Sequence, residues 1–212
     1  VSITNMGLFN RRESLVNQAM GGAGRWWTAL VLGAVCLLFG AFGDQGREVF
    51  KYDRLAIADG EYWRLLTAHF VHLGSTHLML NLAGLLLVWL LVGRYYTGLQ
   101  WIGVLIGSII AVSGGFWFVD TYMLWYVGLS GVLHGLLVAG AMQGFRTLPS
   151  ESAIMLALVT GKLAWEQLSG PLPGSESVSG GAVVVNAHLF GAIGGAIAGA
   201  VLWRSAAAKA SI

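Results

Sequence analysis

The 212-residue chain is short of the features that build soluble or cross-linked proteins. It has a single cysteine, Cys36, so no internal disulfide framework can form, and no Cys/His cluster at ligand spacing points to a metal. Prolines number three. Charged residues make up 10% of the chain, against roughly 25% in an average soluble domain. The net charge is only +2 and the basic residues are scattered, which excludes the cationic stripe of a nucleic-acid binder. Disorder needs low hydrophobicity and high charge, so it is excluded too. What is abundant is apolar: 56% hydrophobic residues, 31 glycines and 9 tryptophans, with a mean hydropathy of +0.71. The composition reads as an all-α integral membrane protein with many short spans.

A helix needs about 20 apolar residues to cross a bilayer. Six segments qualify as candidates: Trp26 to Phe42, about 77–92, about 99–119, a stretch within 122–142, about 154–168, and about 180–203. The fifth is short and carries Lys162 and Glu166. No small-residue cleavage site follows the first, so it reads as a span rather than a signal peptide. An even number of spans puts both termini on one side. Placing them in the cytoplasm makes Arg11, Arg12, Arg25, Arg94, Arg146, Arg204 and Lys209 cytoplasmic, as the positive-inside rule asks. The chain then divides into a cytoplasmic segment 1–25, a six-span domain 26–203 and a cytoplasmic tail 204–212. Outer residues 44–76 read as an interfacial loop with Tyr62 and Trp63 at headgroup level. Outer residues 169–181, SGPLPGSESVSGG, read as a mobile loop.

Polar groups inside a span are costly, and each is a functional hypothesis. His77 and Asn81 share one face of the second span, and Ser130 and His134 share one face of the fourth. His188 lies in the sixth, and all three sets fall in the outer half of the bilayer. Gly131, Gly135 and Ala139 recur every four residues beside Ser130, and Gly191, Gly195 and Gly199 do so near the face of His188. Such small faces let helix backbones approach. A serine on one and an imidazole on the other then suit nucleophilic catalysis. Gly128 and Gly131 flank the serine in a Gly-X-Ser-Gly turn. Free N–H groups at the helix start, with donors from Asn81 and His77, offer an oxyanion hole.

Each residue also has a plainer role open to it. His77 can cap its helix, Asn81 can bond across helices, and Ser130 can simply pack. His134, one turn from Ser130, competes for the role of base, but parallel side chains align poorly for proton transfer. His188 is the better base and His134 its packing neighbour. No buried Asp or Glu is expected behind His188, which makes the unit a dyad. His69 and His72 read as structural or solvated, Cys36 as an apolar filler, and Lys162 with Glu166 as a structural pair or one snorkelling outward.

Together these residues resemble the rhomboid family of intramembrane serine proteases. The resemblance rests on six spans, Trp63-Arg64 in a long first loop, His77-x-x-x-Asn81, Gly128-x-Ser130-Gly131, and Ala187-His188-x-x-Gly191-x-x-x-Gly195. It implies that Ser130 is the nucleophile, that His188 is the base, that His77 and Asn81 help form the oxyanion hole, and that no cofactor or metal takes part. Many rhomboids have a tyrosine four residues after the serine, where this chain has His134-Gly135. The pattern GxSGxxHG is similar to the bacterial rhombosortase subgroup. That implies a protease of the bacterial inner membrane with its site opening to the periplasmic side. Its substrates would be single-span proteins with a C-terminal GlyGly sorting signal, a Gly-rich motif followed by one span and basic residues. The partners implied are this substrate and membrane lipids. Transfer of the new C-terminus to an amine acceptor stays open. Two alternatives are a general rhomboid protease with broader substrates and a non-catalytic protein that holds client spans.

Overall fold

The computed structural model describes the backbone of residues 26–210 and the side chains of 26–203. Segment 1–25, with Arg11, Arg12 and Arg25, lies outside the described residues, as do the side chains of the 204–212 tail. The elements in order are α1 (Trp26–Ala41), α2 (Gly43–Phe50), β1 (Tyr52–Asp53), α3 (Arg54–Ala58), α4 (Arg64–Thr67), α5 (Ser75–Val92), a 3-10 turn (Gly93–Tyr95), α6 (Gly98–Phe118), β2 (Trp125–Tyr126), α7 (Ser130–Gly144), α8 (Pro149–Ser169), α9 (Ser175–Ser179) and α10 (Val185–Ala210). Among the described residues the regular structure is helical apart from two short strands, which the expectation of an all-α chain did not include.

Among the described residues, three stretches are long and apolar enough to cross a membrane: Ser75–Tyr95, Gly98–Phe118 and Val185–Trp203. α1 and α2 make a fourth if the bent pair is one span, but the axis turns by 110° between them. α2 therefore leaves the direction of α1 and begins the segment that leads to α5. α7 is only 15 residues long, because residues 127–129 form the turn that leads into it. α8 begins at Pro149, five residues before the expected start, with proline at a position where its missing N–H costs nothing. The expected loop 169–181 contains helix α9.

Between Glu151 and Gln167, which are exposed near its two ends, the large side chains that α8 exposes are apolar: Ile154, Leu158 and Trp165, with Leu168 following. Its buried residues are Ser152, Val159, Leu163 and Glu166, at helical spacing on one face. A soluble helix would turn these faces the other way. Lipid on the outside accounts for the inversion, and Glu166 is thereby aimed into the bundle.

The interior is built around α7, which packs on α5, α6, α8 and most extensively on α10. Along the α7–α10 seam a Cβ on Gly131 would stand 2.7 Å from the Ala187 carbonyl. One on Gly191 would penetrate the Gly131 carbonyl, and one on Gly195 the Gly135 carbonyl. The small-residue faces read from the sequence do meet, backbone against backbone. Below them Trp101 packs against Trp89 and Tyr96, with ring centroids 5.1 and 5.0 Å away. Its indole N–H donates to the Gly93 carbonyl at 3.1 Å. Cys36 is buried in the same core, as expected.

The segment between α1 and α5 is tied down by polar side chains. Arg64 is buried and donates to Glu61 and to the carbonyls of Glu48 and Lys51. The Arg54 guanidinium donates to the Phe116, Trp117 and Asp120 carbonyls at the end of α6, where a cation suits the dipole. β1 pairs antiparallel with β2, Tyr52 opposite Tyr126. Tyr62 and Trp63 are exposed. His69 and His72 are structural rather than solvated, since both are buried. His69 Nε2–H donates to Ser113 Oγ at 3.0 Å, whose hydroxyl donates to the Leu65 carbonyl at 2.6 Å.

Two outcomes follow from this packing. Gly191→Ala forces α7 and α10 apart and lowers stability by roughly 1–3 kcal/mol, as overpacking does. Gly103→Ala, where the added Cβ meets nothing within 4 Å, costs nothing; thermal unfolding in detergent micelles compares the two. The second outcome concerns pH. Burial lowers the His69 pKa to about 4 and, with the neighbouring His77, that of His72 to about 3, from an ordinary 6.5. A detached loop binds more protons than the docked one as pH falls below 6.5. Docking is therefore strongest above 6.5 and weakens towards pH 4. Amide hydrogen exchange of residues 52–73, corrected for its intrinsic pH dependence, is expected to quicken at pH 5 relative to pH 7.

Candidate active site

Ser130 is the first residue of α7, so its hydroxyl stands where backbone N–H groups lack intrahelical partners. The preceding turn needs glycine twice over. Gly128 has φ of +121°, which L side chains rarely adopt, and a Cβ there would come within 2.8 Å of the His77 ring. The turn is held from outside, where the Gly128 N–H donates to the Ala68 carbonyl at 3.0 Å. The Tyr126 hydroxyl donates to the Gly128 carbonyl at 2.6 Å. Burial raises the Tyr126 pKa, against the pull of the neighbouring Gly131 N–H and Ser130 hydroxyl. The phenol therefore stays protonated as a donor. Sequence reasoning missed Tyr126, because only the β1–β2 pairing brings it over the turn.

His188 lies on the first turn of α10, buried, with Nε2 at 3.1 Å from Ser130 Oγ. The two residues expected to meet do meet. His134 does not bond to the serine hydroxyl. Its Nδ1–H donates to the Ser130 carbonyl at 2.7 Å, and its ring stacks on His188 with centroids 4.3 Å apart. It is the packing neighbour that the parallel projection of i and i+4 side chains implies. Gly135 completes that arrangement: a Cβ there would run into the Ser108 hydroxyl and the Gly191 carbonyl.

The expectation of no acid behind His188 is corrected. Glu166, with a side chain 2% exposed, places its carboxylate oxygens 2.9 and 3.1 Å from His188 Nδ1. Lys162 and Glu166 do form an i,i+4 pair, at 2.8 Å, but they neither snorkel outward nor stand apart from the site. Lys162 Nζ is also 2.8 Å from His134 Nε2 and 3.0 Å from His188 Nδ1. The signal was in the sequence, as two charges in an otherwise apolar segment. Which way the helix faced was not.

Opposite the serine, the Leu73 N–H donates to His77 Nδ1 at 3.3 Å, which leaves the ring proton on Nε2. Asn81 is buried, and its amide donates to the His77 carbonyl at 2.9 Å. Ser130, His188, His77, Asn81, His134, Lys162 and Glu166 all line one cavity of about 420 Å³. Its lining includes Leu172 and Val178 from the segment holding α9, and Leu87 and Leu137 from α5 and α7. The arrangement contains a serine hydroxyl facing an imidazole, a carboxylate behind that imidazole, and N–H donors across an apolar cleft, the parts of acyl-transfer chemistry.

Residues 59–205 match the rhomboid domain. A comparison with the curated proteins gives no match. The matched stretch covers more than half of the chain and includes every residue of the cavity. The chain is thus a multi-pass membrane protein, and it belongs to the rhomboid family of intramembrane serine proteases.

Proposed function

We propose that this protein is a six-span endopeptidase in which Ser130 is the nucleophile and His188 the general base. The observation that carries the reading is the 3.1 Å approach of His188 Nε2 to Ser130 Oγ on the wall of a cleft. Six long helices, α1, α5, α6, α7, α8 and α10, are assigned as the spans, with both ends cytoplasmic. The site then faces the outer side, beneath the first loop and α9. α1 and α7 fall short of an isolated span by length and α8 by apolarity, yet helices buried against neighbours tolerate polar residues that lipid would not.

In this mechanism His188 Nε2 accepts the Ser130 proton as Oγ attacks a peptide carbonyl. The oxyanion is held by the Ser130 backbone N–H, the second amide hydrogen of Asn81 and the Nε2–H of His77. The tetrahedral intermediate collapses to an acyl-enzyme as His188 returns the proton to the leaving amine. Water, or an amine acceptor, then releases the acyl group.

The substrate proposed is a single-span protein with a C-terminal GlyGly-type signal, processed by a rhombosortase-type enzyme in the bacterial inner membrane. Support comes from the His134-Gly135 pair, in which the imidazole stacks on the base and the glycine admits Ser108 and Gly191. It comes also from the cleft itself. The His77 ring crowds the turn beside Ser130, which suits residues without side chains at the cut. A helix breaks at glycine at a cost about 1 kcal/mol lower than at alanine. The apolar lining of the cleft at Leu87 and Leu137 suits the substrate's own span.

Co-expression with a GlyGly-tailed substrate is expected to yield a shortened product whose new C-terminus, read by mass spectrometry, lies at the Gly-rich motif. Ser130→Ala and His188→Ala lower turnover by at least ~10⁴-fold, and full processing by Ser130→Ala would end the protease reading. The same spectrum reports whether the released end is free or joined to an amine. Cleavage of glycine-free substrates at equal rates would instead favour a general rhomboid specificity. Asn81→Ala is expected to lower kcat by about 10²–10³-fold, as loss of one oxyanion donor does. Kinetics in proteoliposomes measure it.

A further inference from the structure

The proton positions around His188 cannot all be satisfied at once, and that conflict assigns a role to two residues the mechanism above does not use. His134 Nδ1 faces the Ser130 carbonyl, an acceptor only, so His134 carries its proton on Nδ1. Its Nε2 is then a lone pair, and the Lys162 ammonium at 2.8 Å donates to it. His188 is not settled in the same way. Its Nδ1 is 2.9 Å from a Glu166 oxygen, which can only accept, and 3.0 Å from Lys162 Nζ, which as an ammonium can only donate. If Nδ1–H donates to Glu166, Nε2 has a lone pair for the Ser130 hydroxyl. If Lys162 donates to Nδ1 instead, the ring proton moves to Nε2 and the base loses its function.

We propose that Lys162 and Glu166 are a positioning pair in which Glu166 holds His188 in its productive Nδ1–H tautomer against the opposing claim of Lys162. The proposal rests on the Ser130–His188 reading. Lys162 balances the Glu166 charge and pins His134 in the orientation that stacks on His188 without competing for the serine. A pair placed for packing alone has no need of His188, since the carboxylate and ammonium already bond each other at 2.8 Å. Buried ion pairs are also commonly replaceable by apolar residues without loss of stability. What sets this one apart is that both of its members reach His188 and that Lys162 reaches His134 as well.

The expected behaviour of variants is specific. Glu166→Gln keeps the shape but cannot match the carboxylate's pull on Nδ1–H, so Lys162 takes Nδ1. The rate of Ser130 labelling by a fluorophosphonate probe, at saturating probe, falls by roughly 10²-fold or more. The probe concentration for half-saturation stays within about threefold. Removing the opposing donor as well, in Lys162→Met/Glu166→Gln, restores at least about tenfold of that loss, a non-additivity that contacts made for packing do not produce.

The proposal is overturned if Glu166→Gln labels at the wild-type rate, or if the double variant is no faster than Glu166→Gln. Should these variants not fold, ¹⁵N-histidine NMR of the wild-type protein decides. His188 and His134 both protonated on Nδ1 is the expected pattern, and Nε2–H on His188 overturns the proposal. Ser130→Ala and His188→Ala are run alongside. Labelling that persists in them sinks the underlying reading, whereas their silence beside a fully active Glu166→Gln sinks this proposal alone.

Discussion

The contact on which the site depends is between two backbones. α7 and α10 approach so closely at Gly131–Gly191 and Gly135–Gly195 that no Cβ fits between them. In a lipid environment the hydrophobic effect does not drive helices together, and close packing and interhelical hydrogen bonds must do so. The glycine seam supplies the packing. It also sets the distance: with the helices held at that separation, the hydroxyl at the start of α7 and the imidazole on the first turn of α10 come to 3.1 Å. Larger residues on the seam would leave both groups present and out of reach.

The other contacts refine this one. The segment between α1 and α5, docked by Arg54, Arg64 and His69, reaches over the bundle through the β1–β2 pairing and lays Tyr126 and Ala68 against the Gly128 turn. The seam fixes how far apart the helices stand, and the loop fixes how the chain enters α7. α8 closes the arrangement from the side. Its exposed face is apolar and its buried face carries Glu166, so the same rotation that satisfies lipid presents the carboxylate to His188. A buried carboxylate with a nearby ammonium and two imidazoles keeps a polar cluster solvated by protein groups in place of water.

Much of this is legible in the sequence because membrane spans and small-residue faces obey simple periodicities. The i,i+4 recurrence of glycine beside Ser130 and His188 names the seam and the partners it joins. The same spacing argument places His134 beside His188 without a bond to the serine hydroxyl. Two corrections share one cause. Lys162 with Glu166 reads in the sequence as a pair apart from the chemistry, and His188 reads as having no acid behind it. The sequence of α8 shows charges in an apolar segment but not the rotation of the helix about its axis. That rotation is set by which neighbours its faces meet. Tyr126 escapes the sequence because a two-residue strand pairing carries almost no periodic signal.

Composition and local spacing determined by themselves that the chain is a helical membrane protein. They also determined that a serine, three histidines and an asparagine sit in costly positions, and that two helix faces are bare enough to touch. These properties belong to single segments, where an apolar run or a four-residue repeat is complete within one helix. Tertiary structure alone decided which carboxylate stands behind the imidazole that faces the hydroxyl, and what closes over the turn. Those are relations between segments 22 positions apart for Glu166 with His188 and 60 for Ala68 with Gly128, set by how whole helices rotate and pack, and no local pattern encodes a rotation.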